Sequence, residues 1–172
     1  MPDVILVNAQ DQAIGKMEKL AAHQKGELHR AISVFIFNSK GQFLIQQRAA
    51  SKYHCPDLWS NTACSHPYPG ETTTQAANRR LKEEMGLKAQ LEFKFKFHYR
   101  TEFSNGLIEN EIDHVFVGTI DQDPVINPEE VQDFKWIDLQ TLQQEIQKHP
   151  LKYTFWFKLI LSNPNLLQQL TK

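Results

Sequence analysis

Trp59-Ser60-Asn61-Thr62-Ala63-Cys64-Ser65-His66-Pro67, then Glu71, then Arg79-Arg80-Leu81-Lys82-Glu83-Glu84-Met85-Gly86-Leu87, is the stretch whose reading decides the fold. A thiol and an imidazole stand two residues apart in a loop. A helix follows. Thr72-Thr73-Thr74 offers N-cap hydroxyls, Ala77, Leu81 and Met85 form a core stripe over residues 75–85, and Gly86 suits the residue just past the end. Adjacent carboxylates, Glu83 and Glu84, close that helix. A group able to carry a proton therefore sits one element away from possible cation ligands.

Working outward, residues 31–37 and 42–48 read as two strands joined by the turn Asn38-Ser39-Lys40-Gly41, a hairpin. Residues 58–63 read as a short strand entering the Cys64 loop. Upstream, Ile14, Met17, Leu20 and Ala21 recur at helical spacing and predict a helix over 14–23, ended by Gly26. Downstream, Leu91, Phe93, Phe95, Phe97 and Tyr99 alternate with Glu92, Lys94, Lys96 and His98, which predicts a strand with one apolar face. After the turn Ser104-Asn105-Gly106, residues 107–120 predict a strand bent near Asp113. Residues 131–137 predict another strand, and 139–148 and 154–161 two helices split by Pro150. Strands lie on both sides of one central helix, with helices at the end. That order predicts an α+β sandwich around a mixed sheet rather than a βαβ series.

The bulk numbers set limits. With 172 residues, 41% of them apolar, the chain fits one compact domain, 1–172, with a sizeable core. Its 19 basic and 20 acidic residues nearly cancel, which argues against a nucleic-acid partner. No apolar run approaches a membrane span, and no signal-like start precedes Gln10, so a cytoplasmic location without membrane contact is expected. There Cys55 and Cys64 stay reduced.

Glu109 and Glu111, two apart in a strand, share a face. Alone they read as a solvated strand edge. With His23, His29 and His66 they offer three imidazoles and two carboxylates, a set that suits zinc, manganese or magnesium and leaves room for one more ligand. His54, His98, His114 and His149 read as structural or solvated. Glu84 reads either as an i,i+4 partner of Arg80 or as a ligand to a hard cation that also grips phosphate. Cys64 reads either as buried filler or, from its loop position near a helix start, as a tuned thiol. Lys19, Arg48 and Lys52 together could offset a diphosphate. No Gly-rich phosphate loop is present.

The frame Glu71, Arg79-Arg80-Leu81, Glu83-Glu84-Met85-Gly86-Leu87 resembles the Nudix box, a loop-helix-loop that holds divalent metal against a diphosphate. It departs from the hydrolase pattern twice. The leading Gly is Ser65, and the Glu after the box Arg is Arg80, so one metal-binding carboxylate of ordinary diphosphate hydrolysis is missing. With Leu28-His29, Gln47-Arg48-Ala49-Ala50-Ser51-Lys52, Leu58-Trp59-Ser60-Asn61-Thr62, Cys64-Ser65-His66-Pro67 and Glu109-Asn110-Glu111, the chain resembles the type I isopentenyl-diphosphate Δ-isomerases, from about Lys19 to Phe157.

The resemblance implies a Nudix fold and an isomerase of isoprenoid biosynthesis that interconverts isopentenyl and dimethylallyl diphosphate, without flavin. It implies one divalent metal, manganese or zinc, on His23, His29, His66, Glu109 and Glu111. It implies magnesium on Glu84, helped by the Cys64 carbonyl, and substrate held by Lys19, Arg48, Lys52 and Ser65. Cys64 and Glu111 would transfer protons, and Tyr99 and Trp59 would line the hydrocarbon pocket. One proton is added at C4 and one removed at C2, through a tertiary carbocation or close to it. An aromatic face can stabilise such a cation, and water must be kept out. The expected partner is a small prenyl diphosphate, with the protein a monomer or weak dimer. The competing readings are a Nudix hydrolase, which Arg80 and the Cys64/Glu111 pair oppose, and a metal-binding or ligand-sensing Nudix-like module, which a complete pocket opposes.

Overall fold

The computed structural model describes residues 2–172. The chain opens with an antiparallel hairpin of β1 (Asp3–Val7) and β2 (Ala13–Glu18). This corrects the helix expected over 14–23. Residues 13–18 are exposed or half-buried, so their helical spacing marks no buried stripe, and the ladder to β1 satisfies their backbone instead. Helix begins only at α1 (Lys19–Lys25). There the Glu18 side chain accepts the Ala21 N–H at 2.9 Å, and Gly26 closes the other end at φ 70°.

β3 (His29–Phe37) and β4 (Phe43–Arg48) form the expected hairpin. The strand expected over 58–63 is two short pieces, β5 (Trp59–Ser60) on β4 and β6 (Ala63–Ser65) on β3. The central helix is α2 (Thr73–Met85), with a full capping box between Thr72 and Gln75 and Gly86 at φ 64°. β7 (Glu92–Glu102) and β8 (Ile108–Thr119) make a long hairpin, and β9 (Val131–Ile137) pairs with β4. The chain ends in α3 (Leu139–Lys148), α4 (Phe155–Ser162) and α5 (Pro164–Thr171). The pattern of apolar residues gave no expectation of α5. Its signal is local: Asn163 accepts the N–H groups of Asn165 and Leu166, and Pro164 occupies the first turn.

β3 is the axis of the mixed sheet. It runs parallel to β8 along its whole length, from His29↔Glu111 to Phe37↔Thr119, and antiparallel to β6 beside it. Side chains alternate across the sheet. Ile32, Val34, Ile36 and Phe116 pack on Ala77, Leu81 and Met85 of α2. Phe35 and Val115 point the other way, into a core completed by Leu142 of α3 and Phe157 and Ile160 of α4. Each such burial stabilises by roughly 1.5–3 kcal/mol. The α+β sandwich thus stands as expected.

The apolar alternation of β7 is interrupted. A bulge between Phe93 and Phe95 sets Phe93 opposite Phe116 and Phe95 opposite Val115. Phe93 therefore lies on the α2 side and stays half exposed, while Phe95 and Tyr99 enter the opposite core. The irregularity expected on β8 near Asp113 is carried by β7 instead. Beyond the bulge the register places His29 and Ser33, Glu109, Glu111 and Asp113, and Tyr99 on the face toward the C-terminal helices.

Candidate functional site

Glu111 Oε1 is a meeting point. His66 Nε2 lies 2.9 Å away, His29 Nε2 3.2 Å and His23 Nε2 3.6 Å. All four side chains are buried, and one ligand atom from each lies within 4.8 Å of the others. Three separate segments and β8 supply them: α1, the first residue of β3, and the loop after β6. The backbone carbonyls of Lys19 and Glu27 lie 2.7 Å and 2.8 Å from Nδ1 of His23 and His29. A carbonyl only accepts, so each Nδ1–H donates there and Nε2 is turned toward Glu111. Burial, ahead of the pull of Glu111, pushes His66 down to about 3. Burial works to raise Glu111, but the imidazoles, His66 first, outweigh it and hold this carboxyl well below its usual range. Three imidazole nitrogens gathered on one carboxylate, with His23 Nε2 lacking a hydrogen-bond partner among the described residues, make a donor set that fits a divalent cation.

Glu109 stands beside this set rather than in it. Its Oε1 is 3.0 Å from His54 Nε2, and its Oε2 accepts from the Tyr99 hydroxyl at 3.0 Å. The same hydroxyl lies 2.8 Å from Glu111 Oε2, so one proton is shared between the two carboxyl groups. Burial first and the Glu111 charge second push Glu109 upward. His54, expected to be structural or solvated, is thus part of the site. No metal-type spacing in the sequence marked it, since its contact spans two distant segments.

The cavity against these groups is small, about 40 Å³, and opens to solvent. Cys64 lines it, paired across the sheet with Ser33. Burial pushes this thiol up to about 12 against the pull of Arg48, whose Nη1 lies 3.7 Å from Sγ, so the resting sulfur is protonated. Asp113 also lines the cavity. It accepts from Ser33 Oγ at 2.7 Å, and burial pushes it up to about 8. Lys19, Arg48, Lys52 and Ser65 all line the same cavity, joined by Arg80. Burial, then repulsion from Lys52 and Arg48, pushes Lys19 down to about 8. Lys52 and Arg80 share Glu130 Oε2.

Two expected residues sit elsewhere. Glu84 is buried behind Arg80: its Oε1 takes Arg80 Nη2 at 2.6 Å and its Oε2 takes Gln46 Nε2 at 2.6 Å. Trp59 is outside the cavity lining, its ring under Lys135 Nζ at 4.6 Å, because β5 pairs edge-on with β4. The indole in the cavity is Trp156 of α4, fixed by its Nε1–H on Asn61 Oδ1 at 3.0 Å. The aromatic run at 155–157 was the available signal.

Fold and residue frame define the class. The NUDIX domain family model matches residues 27–157. The crystal structure of DR0079 from Deinococcus radiodurans superposes with a TM-score of 0.72 at 23% identity, over 85% of this chain and 89% of that one, a likeness of fold. In sequence, the chain is 54% identical to isopentenyl-diphosphate Delta-isomerase 2 of Aromatoleum aromaticum over 153 residues, 89% of this chain and 81% of that protein. It is 52% identical to the isopentenyl-diphosphate Delta-isomerase of Pectobacterium atrosepticum, over 92% of this chain and 89% of the relative. The chain belongs to the isopentenyl-diphosphate Delta-isomerase family of Nudix proteins.

Proposed function

We infer that this chain is an enzyme that interconverts isopentenyl diphosphate and dimethylallyl diphosphate. The observation that carries the reading is one cavity lined by both Cys64 and Glu111 beneath a cationic mouth. A double-bond shift needs one group that delivers a proton at C4 and another that removes one at C2. A thiol that holds its proton and a carboxylate that has lost its own form such a pair. Tyr99 links Glu109 to Glu111 and fixes the direction in which each carboxylate faces.

Lys19, Arg48, Lys52, Ser65 and Arg80 would bind the diphosphate, displacing Glu130 from Lys52 and Arg80. Trp156, rather than Trp59, presents the π face that would stabilise a carbocation-like intermediate. Diphosphate bound at the open mouth would keep bulk water from that cation.

His23, His29, His66 and Glu111 would hold a divalent ion, manganese or zinc by donor type, with Glu109 as a neighbouring ligand. Bound there, the ion would supply positive charge beside Glu111 and Tyr99 and so lower their proton affinity. Glu84 would hold magnesium with the diphosphate once Arg80 turns to the phosphate. Arg80 stands where a hydrolase keeps a carboxylate, which favours isomerisation over hydrolysis.

Incubation with isopentenyl diphosphate and magnesium in deuterated water tests the reading. Deuterium in dimethylallyl diphosphate is the expected result. Inorganic phosphate or pyrophosphate as the main product would establish a hydrolase instead.

A further inference from the structure

We propose that His54 is a positioning residue of the active site, holding Glu109 beside the His23–His29–His66–Glu111 set. The proposal deepens the isomerase reading and rests on it only for turnover.

His54 sits in the loop between β4 and β5. Two non-glycine residues of that loop, Cys55 at φ 50° and Asp57 at φ 64°, adopt the left-handed region, a strained conformation for L side chains. The Arg48 guanidinium secures the strained segment, donating to the carbonyls of Cys55 at 3.0 Å and His54 at 3.2 Å. The imidazole is thereby turned inward. It is 8% exposed, packed on Tyr53 at 4.7 Å between ring centroids and near Trp156 at 6.4 Å.

A buried imidazole in such a place requires a polar reason, because an apolar ring would fill the space without desolvation cost. Its Nε2 lies 3.0 Å from Glu109 Oε1, and its Nδ1 has no partner. A neutral ring has one N–H. Placed on Nε2, that proton meets the carboxylate and leaves only a lone pair unpaired at Nδ1. Placed on Nδ1, it would be a buried N–H without acceptor while Nε2 faced another lone pair. The first arrangement wins, so His54 donates to Glu109. The Tyr99 hydroxyl lies 3.0 Å from the other oxygen. Glu109 is then held between two partners, beside the cation set.

Three variants of the full chain test this: His54→Ala, His54→Leu to fill the volume, and His54→Gln to return an amide N–H. Mn2+ titration, kcat, KM and thermal melting are measured on each. Loss of the donor should weaken Mn2+ binding and lower kcat by about 10–100-fold in the Ala and Leu variants. KM should stay within about 2-fold, and Gln should restore most of both losses. His54→Leu with wild-type Mn2+ affinity and kcat overturns the proposal, as does His54→Gln failing where His54→Leu fails. A wild-type protein that binds no Mn2+ overturns it as well. Mn2+ titration needs no turnover, so a wild type that binds the ion without isomerising refutes the isomerase reading and leaves the His54 comparison standing.

Discussion

His29 and Arg30 are neighbours on β3, and Asp113 and His114 are neighbours on β8, yet the sheet sends the members of each pair to opposite faces. Two histidine–carboxylate clusters result, one half-buried and one buried. On the α2 face, Asp11 accepts from Arg30 Nε at 2.8 Å, Lys96 Nζ at 3.0 Å and His114 Nε2 at 2.8 Å, and Arg30 Nη2 also reaches the Asp11 carbonyl at 2.6 Å. Positive groups surround one carboxylate, which ties the β1–β2 turn to three strands. On the other face one carboxylate meets three imidazoles, with His23 Nε2 and His66 Nδ1 unpartnered among the described residues. In the first cluster the Asp11 carboxylate is met by donors on every side; the second leaves buried ring nitrogens without a partner. Composition alone does not separate a structural tie from a cation site; the balance of donors and acceptors does.

The largest expected effect comes from Glu111→Gln, which should lower kcat about 10³-fold and abolish stoichiometric Mn2+ binding, while Asp11→Asn leaves both within about 2-fold. Equal losses in steady-state kinetics would erase the distinction between the clusters.

Cys64→Ala comes next. It should lower kcat by about 10²–10⁴-fold with stability changed by less than about 1 kcal/mol, because the sulfur sits at the core's edge with one side on the cavity. A large loss in urea unfolding with activity retained would make the thiol filler.

The pH profile should separate the faces too. Lys19 is held at about 8 and is charged below that value, so kcat/KM should fall as pH rises through about 8. Lys19→Arg should move that limb to higher pH, and an unmoved limb would assign it to another group.

On the other face the readout is stability. Asp11→Asn should cost about 2 kcal/mol at neutral pH. Burial opposes ionisation of Asp11, but Arg30 and then Lys96 outweigh it and hold the carboxyl below 3.8. A depressed folded pKa gives stability that is present above 3.8 and lost as pH falls through the lower folded value. The gap between wild type and variant should therefore close in acid, as denaturant melts across pH would show.

The smallest effect is expected for Trp59→Phe, with kcat within about 2-fold, against a clear loss for Trp156→Phe. The reverse order would return Trp59 to the cavity.

Much of this was legible in the chain. The capping residues, core stripe and Gly86 of α2 are local signals, and local hydrogen bonding decides them. The ligand types at His23, His29, His66 and Glu111 carried the site. What was hidden depended on tertiary pairing. Ala13–Glu18 became a strand because β1 lay beside it, and Phe93 changed face through one bulge. His54 and Trp156 are 102 residues apart in sequence numbering, 156 minus 54, and their shared cavity exists only once α4 packs against the β4–β5 loop.

The most direct test of the contrast between the two clusters is anomalous diffraction at the manganese edge from crystals of the full chain soaked in MnCl2. One strong peak among His23, His29, His66 and Glu111, with none at Asp11, is the predicted result. An empty His/Glu cluster, or a peak at Asp11, would contradict it.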